Sequence, residues 1–159
     1  MAMANGGRVD LLHTMTFVDA LGESGRQSIA GNASWAKYDM LLFVPDITIT
    51  AQDGQTSGNW LRMEIARGST LNGNYNSLGT VGKRDEYFTA CVCKGWNGDR
   101  YYWRYGFIGD RGGSIPFANT QDKDSETLAD LTYKYGPYYG GTNATMSGTV
   151  KIYGVKYPT

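Results

Sequence analysis

Several stretches of this chain carry the apolar and polar pattern of strands. From Val9 to Val18 the alternation predicts a strand with Leu11, His13, Met15 and Phe17 on one side. Tyr38 to Ile49 is the most apolar stretch, and its first half is apolar at consecutive positions, as expected of a central strand covered on both faces. Pro45 has no N–H to give a ladder and is expected to bend or interrupt that strand. In Trp60 to Arg67, Leu61, Met63 and Ile65 alternate with Trp60, Arg62, Glu64 and Ala66, which predicts one core face and one wet or interface face. Tyr87 to Trp96 and Arg100 to Ile108 flank Asn97-Gly98, two residues that tolerate positive φ and so favour a hairpin. Gly148 to Tyr157 reads as the closing strand, where Gly154 breaks the alternation and suggests a bulge. Gly68 to Gly82, rich in Gly, Asn and Ser, reads as a surface loop. Helical periodicity is confined to Ser125–Leu131, enough for a single turn.

At least six strands with turns between them and no crossover helices predict an all-β fold, an antiparallel β-sandwich of jelly-roll-like architecture. Composition agrees: twelve Tyr, four Trp and 22 Gly among 159 residues suit strands and tight turns. The apolar share of 41% supports a core without staples. Neither a repeat nor a charge block marks a boundary. Residues 1–8 are therefore expected as an N-terminal arm or linker, and residues 9–159 as a single β-sandwich domain.

Charge narrows the partners. Fifteen basic and fifteen acidic residues leave a formal net charge of zero, which disfavours nucleic acid, whose binding depends on neutralising phosphates. Apolar runs fall short of the ~20 residues that span a bilayer, so membrane insertion is not expected. The opening residues lack the charged and apolar regions of a signal peptide. Cys91 and Cys93 on one strand stand too far apart for a good disulfide, and two thiols do not complete a structural zinc site; they are expected as small reduced strand residues.

Two stretches carry a resemblance. The first runs Ser34-Trp35-Ala36-Lys37-Tyr38-Asp39-Met40-Leu41-Leu42-Phe43, then Asp46-Ile47-Thr48, then Trp60-Leu61-Arg62-Met63-Glu64-Ile65 and a Gly-rich loop with Tyr75. The second is the ending Gly148-Thr149-Val150-Lys151-Ile152-Tyr153-Gly154-Val155-Lys156. Together they resemble phage virion β-sandwich domains of tail fibres, baseplate appendages and head decorations. The resemblance spans about half the chain and leaves Lys83 to Gly140 unmatched. It implies a jelly-roll-like subunit, often trimeric, on the exterior of a virion and made in the host cytoplasm. It also implies assembly with itself and with other virion proteins, and possible contact with host surface glycans.

Candidate chemistry is sparse. His13 is the only histidine, and a nucleophile wants a neighbouring base, so no catalytic residue is expected. Asp122, Asp124 and Glu126 are spaced to offer oxygens to Ca²⁺, but Lys123 sits among them and the glycine of a calcium loop is missing. A solvated loop is the expectation, with neither metal nor cofactor. The sequons at Asn32 and Asn143 are expected to be chance matches. Aromatic clusters carry more. In Tyr101-Tyr102-Trp103-Arg104-Tyr105, residues Tyr101, Trp103 and Tyr105, with Phe107, share the expected core side, and Tyr102 and Arg104 share the other. Tyr133, Tyr135, Tyr138 and Tyr139 lie among Gly136, Pro137, Gly140 and Gly141, a composition that suits recognition or subunit contact. Tyr102, Arg104, Tyr133, Tyr135, Tyr138 and Tyr139 are therefore the candidate binding or interface residues. A non-enzymatic virion subunit is the leading expectation. A monomeric carbohydrate-binding module is the alternative, and a β enzyme joining His13 to Asp46 or Glu64 is a third.

Overall fold

A computed structural model describes residues 6–51, 61–67, 89–97, 100–108, 118–121, 127–137 and 144–158; in 61–121 the description is of the backbone, Val92 excepted. Among the described residues nine strands follow in chain order: β1 Arg8–Leu21, β2 Gln27–Ala30, β3 Met40–Ala51, β4 Leu61–Arg67, β5 Thr89–Asn97, β6 Arg100–Ile108, β7 Ala118–Gln121, β8 Leu131–Pro137 and β9 Ala144–Lys156. All pair antiparallel. The fold is all-β, as the alternation predicts, in a six-stranded sheet ordered β1-β9-β3-β5-β6-β7 and a three-stranded sheet ordered β2-β8-β4.

The pairing is nested. β1 and β3 flank β9 in the larger sheet, while β2 and β4 flank β8 in the smaller. The chain thus changes sheet between β1 and β2, where a 3-10 turn at Glu23–Gly25 intervenes, and returns through a second at Ala33–Lys37. Asn32 caps that second turn, its Oδ1 accepting from Ser34 N at 3.0 Å and Ser34 Oγ at 2.5 Å.

Aromatic side chains join the two sheets. Phe43 of β3 stacks on Tyr135 of β8, with ring centroids 6.1 Å apart and planes 6° apart. It also meets Tyr133 at 5.7 Å, and Tyr133 in turn meets Trp35 at 5.9 Å. Around them Met15, Phe17, Leu41, Val92, Leu128, Met146, Val150 and Ile152 are buried. Removing each large side chain of this kind from water contributes about 1.5–3 kcal/mol, which makes this cluster the main source of cohesion between the sheets.

Several sequence expectations change. Leu11 and His13 are exposed, although Met15 and Phe17 are buried. A register shift between Leu11 and His13 inserts Leu12 into the alternation, and Leu12 packs against the core in their place. Gly154 is not a bulge: β9 passes it in regular register, with Asp10 on one side and Leu41 on the other. It is glycine because a Cβ there would lie 2.6 Å from Tyr38 Cγ, under a ring that caps the core. Pro45 does not interrupt β3. The ladder to β9 continues through Pro45, which stands opposite Val150. Gly148, at φ +124°, lies so close to β3 that a Cβ would come within 2.3 Å of the Asp46 carbonyl oxygen.

The turn expected near Ser125–Leu131 is seen over its described part. Asp130 N donates to Thr127 O at 3.0 Å, and Asp130 Oδ2 accepts from Thr127 N at 2.6 Å and Thr127 Oγ1 at 2.9 Å. The bond accepted from Thr127 N, then that from Thr127 Oγ1, holds the Asp130 carboxyl below its ordinary pKa. The turn plants Leu128 in the core immediately before β8.

Candidate interaction face

Side chains on neighbouring antiparallel strands that stand opposite one another share a face of the sheet. In β3, Leu41 and Phe43 are fully buried, and in β9 Val150 and Ile152 are too; these alternate positions form the core face of the six-stranded sheet. The positions between them form its outer face. Its register draws two rows across five or six strands. One is Val9, Val155, Met40, Cys93, Arg104 and Asn119. The next is Leu11, Tyr153, Leu42, Cys91 and Gly106. Five of the first six residues from β1, β9 and β3 in these rows are aliphatic, and the sixth is Tyr153. Met40, Leu42, Val9 and Tyr153 are half-buried, Val155 is buried, and Leu11 is 55% exposed. The second face of β3, expected to be covered, is therefore apolar and partly open.

The rows beyond are polar except for Val44. Thr14, Lys151 and Val44 stand abreast, then Thr16, Thr149 and Asp46. At the opposite end Tyr157 OH reaches Met40 Sδ at 3.8 Å. Its backbone N donates to Asp39 Oδ2 at 2.7 Å, while Lys156 Nζ pairs with Asp39 Oδ1 at 3.0 Å. An apolar centre with a polar border is the anatomy of a protein contact surface.

Tyr102 and Arg104, expected outside the core, take outer-face positions by register: Arg104 opposite Cys93, and Tyr102 opposite Gly95 one step further. Tyr105 stands opposite buried Val92, so the alternating set of Tyr101, Trp103, Tyr105 and Phe107 belongs to the core face. The structure thus brings Tyr102 and Arg104 onto the sheet face that carries Met40, Leu42 and Tyr153. Those three were missed as site residues; the signal was the run from Met40 to Val44, apolar at every position and hence on both faces.

Tyr133 and Tyr135 need correction as binding or interface candidates. They lie on the central strand of the smaller sheet, both 0% exposed, where Leu131, Tyr133 and Tyr135 alternate with half-buried Thr132 and Lys134. The Tyr133 hydroxyl donates to the Leu128 carbonyl at 2.8 Å. The Tyr135 hydroxyl has no hydrogen-bond partner among the described residues, and burial pushes its pKa well above the ordinary tyrosine value. Tyr138 and Tyr139 lie outside the described residues, as do Asp122, Asp124, Glu126 and Asn143. His13 stands at the register of Phe43, and Asp46 lies three positions further along β3, on the alternate face, so pairing does not bring them together.

A charged cluster holds the end of the sheet. Tyr38 OH donates to Asp10 Oδ2 at 2.5 Å, Arg8 Nε pairs with the same oxygen, and Lys37 Nζ lies 5.1 Å from the Tyr38 ring centroid. The bond from Arg8, then that from Tyr38, holds the Asp10 carboxyl below its usual range. Burial, then the bond to Asp10, raises the Tyr38 phenol. The cluster ties β1 to the residues that lead into β3. No family model matches this chain, and no curated protein sequence matches it either.

Proposed function

We propose that the protein is a non-enzymatic structural subunit on the exterior of a tailed bacteriophage virion, a tail appendage or capsid decoration, and that it assembles as a symmetric oligomer. The observation that carries the assembly part is the outer face, with Leu11, Tyr153, Leu42, Met40 and Val155 contiguous across β1, β9 and β3. The jelly-roll part of the reading is supported by the nested order, β1-β9-β3 over β2-β8-β4, which follows from winding one long antiparallel ribbon across two layers. The placement on a phage particle rests on the sequence resemblance alone. Tyr138 and Tyr139 remain the candidates that the sequence offers for contact with a host surface glycan.

The test is the solution mass of the purified protein by light scattering over a range of concentrations, for wild type and for the double substitution Leu11→Lys, Leu42→Lys. An oligomer of fixed number, trimeric on the virion reading, that falls to monomer in the double variant supports the proposal. A monomeric wild type at every concentration contradicts self-assembly and favours a sugar-binding module, for which glycan-array binding is the next measurement.

A further inference from the structure

Among the described side chains are three methionines, in two environments. Met15 and Met146 lie in the core, each 1% exposed. Met40 opens β3 on the outer face of the larger sheet, opposite Val155 of β9, and is half-buried. Tyr157, just past the end of β9, brings its hydroxyl to Met40 Sδ at 3.8 Å. The Asp39 carboxylate holds that tyrosine in place: one oxygen accepts from Tyr157 N at 2.7 Å, the other pairs with Lys156 Nζ at 3.0 Å. Tyr157 is nonetheless 48% exposed, so a small reagent can approach the sulfur beside it. We propose that Met40 is a modification site for peroxide, that the Tyr157 hydroxyl receives the oxygen of the resulting sulfoxide, and that this conversion switches off the outer face as a contact surface. The switch rests on the assembly reading given above; the modification site does not.

The chemistry balances with hydrogen peroxide as the oxidant. A sulfur lone pair attacks one peroxide oxygen, the S–O bond forms and the O–O bond breaks. The departing hydroxide takes the proton of the transferred oxygen, so sulfide and peroxide become sulfoxide and water. The geometry favours position 40. A thioether is only a weak acceptor, whereas sulfoxidation makes the side chain polar. Tyr157 already presents a donor, so the product gains a hydrogen bond stronger than any the sulfide makes. The position also gives the change its effect. Met40 shares a row with Val9 and Val155, and Leu42 stands in the next. Oxidation thus places a polar oxygen in the apolar centre of the face, a change that disrupts interfaces carrying methionine. Assembly covers the face and shields the sulfur, so the unassembled subunit is the form that is modified.

The experiment treats the full chain with dilute hydrogen peroxide at neutral pH and follows each methionine by peptide mass mapping. Core methionines react only when the fold opens, so Met40 is expected to gain its oxygen at least about tenfold faster than Met15 and Met146. The fall in thermal midpoint on oxidation is expected to be larger in Tyr157→Phe, which lacks the donor, than in wild type. Light scattering then reads the switch: oxidised wild type shifts towards monomer, while Met40→Leu keeps the mass of untreated wild type before and after peroxide. Equal oxidation rates at the three methionines, or equal midpoint losses in wild type and Tyr157→Phe, would overturn the site. An oxidised wild type that keeps its oligomeric mass would overturn the switch and leave the assembly reading standing. A wild type that is monomeric before treatment would overturn that reading and the switch with it, and the mapping would still decide the site.

Discussion

Tyr133 and Tyr135 sit two residues apart on one strand with the same burial, yet their hydroxyls stand in opposite situations. Tyr133 gives its proton to the Leu128 carbonyl, fastening the turn before β8 to the strand itself. Tyr135 stacks flat on Phe43 and holds its hydroxyl in the core without a described partner. A buried polar group that makes no hydrogen bond costs about 1–3 kcal/mol, whereas a made bond contributes about 0.5–1.5 kcal/mol net. Tyr133→Phe is therefore expected to destabilise the protein by about 1 kcal/mol or more, because it also leaves the Leu128 carbonyl short of a donor. Tyr135→Phe is expected to be neutral or stabilising. Urea unfolding of both variants decides it, and equal losses would contradict the contrast.

At the scale of elements, β1 is the exposed edge of the larger sheet and is held at intervals. Register shifts at Leu11/His13 and Phe17/Ala20 break it into short regular lengths, as suits an edge that must not pair indiscriminately. At the second shift Asp19 takes φ +45°, and Ser147 Oγ accepts from its backbone N at 2.9 Å. The side-chain amide of Gln27, from β2, donates to the outward Thr16 carbonyl. Near its start, Asp10 ties β1 to Tyr38. Because the folded pKa of Asp10 is lowered, its contribution is full above the ordinary carboxylate pKa and disappears as pH falls through the folded value. Asp10→Asn should lower the thermal midpoint modestly at neutral pH, and its gap from wild type should close in acid. A gap that stays constant across the acid range would show that the charge of Asp10 is not what matters.

The whole molecule is organised by contacts between the two ends of the chain. Arg8 pairs with Lys156 and Leu11 with Tyr153, and β9 carries ladders to both β1 and β3. Closing loops of that length costs entropy before any pairing rewards it, which slows folding. Refolding of the monomer after dilution from urea should therefore occupy milliseconds to seconds, as followed by Trp fluorescence in stopped flow. A sub-millisecond main phase would contradict the nested topology. β9 reports late on any such pathway, since its partners on either side are separated from it by most of the sequence.

The class of the fold and many of its strands are legible in the local pattern of residues. A period of two in Val9 to Val18, Trp60 to Arg67 and Gly148 to Tyr157 is a local signal, and local signals survive without knowledge of neighbours. It also divided β6 into two faces, because alternation follows from backbone geometry. Where those faces go depends on pairing and packing between distant segments. Tyr133 and Tyr135 belong to the core because β8 is flanked by β2 and β4 and faces Phe43, relations no local pattern states. Leu11 and His13 are exposed because pairing with β9 inserts an extra residue, and Gly154 serves the Tyr38 ring instead of a bulge. Met40, Leu42, Cys91, Cys93, Arg104 and Tyr153 share one face because of register between strands distant in sequence, and register is fixed by long-range packing.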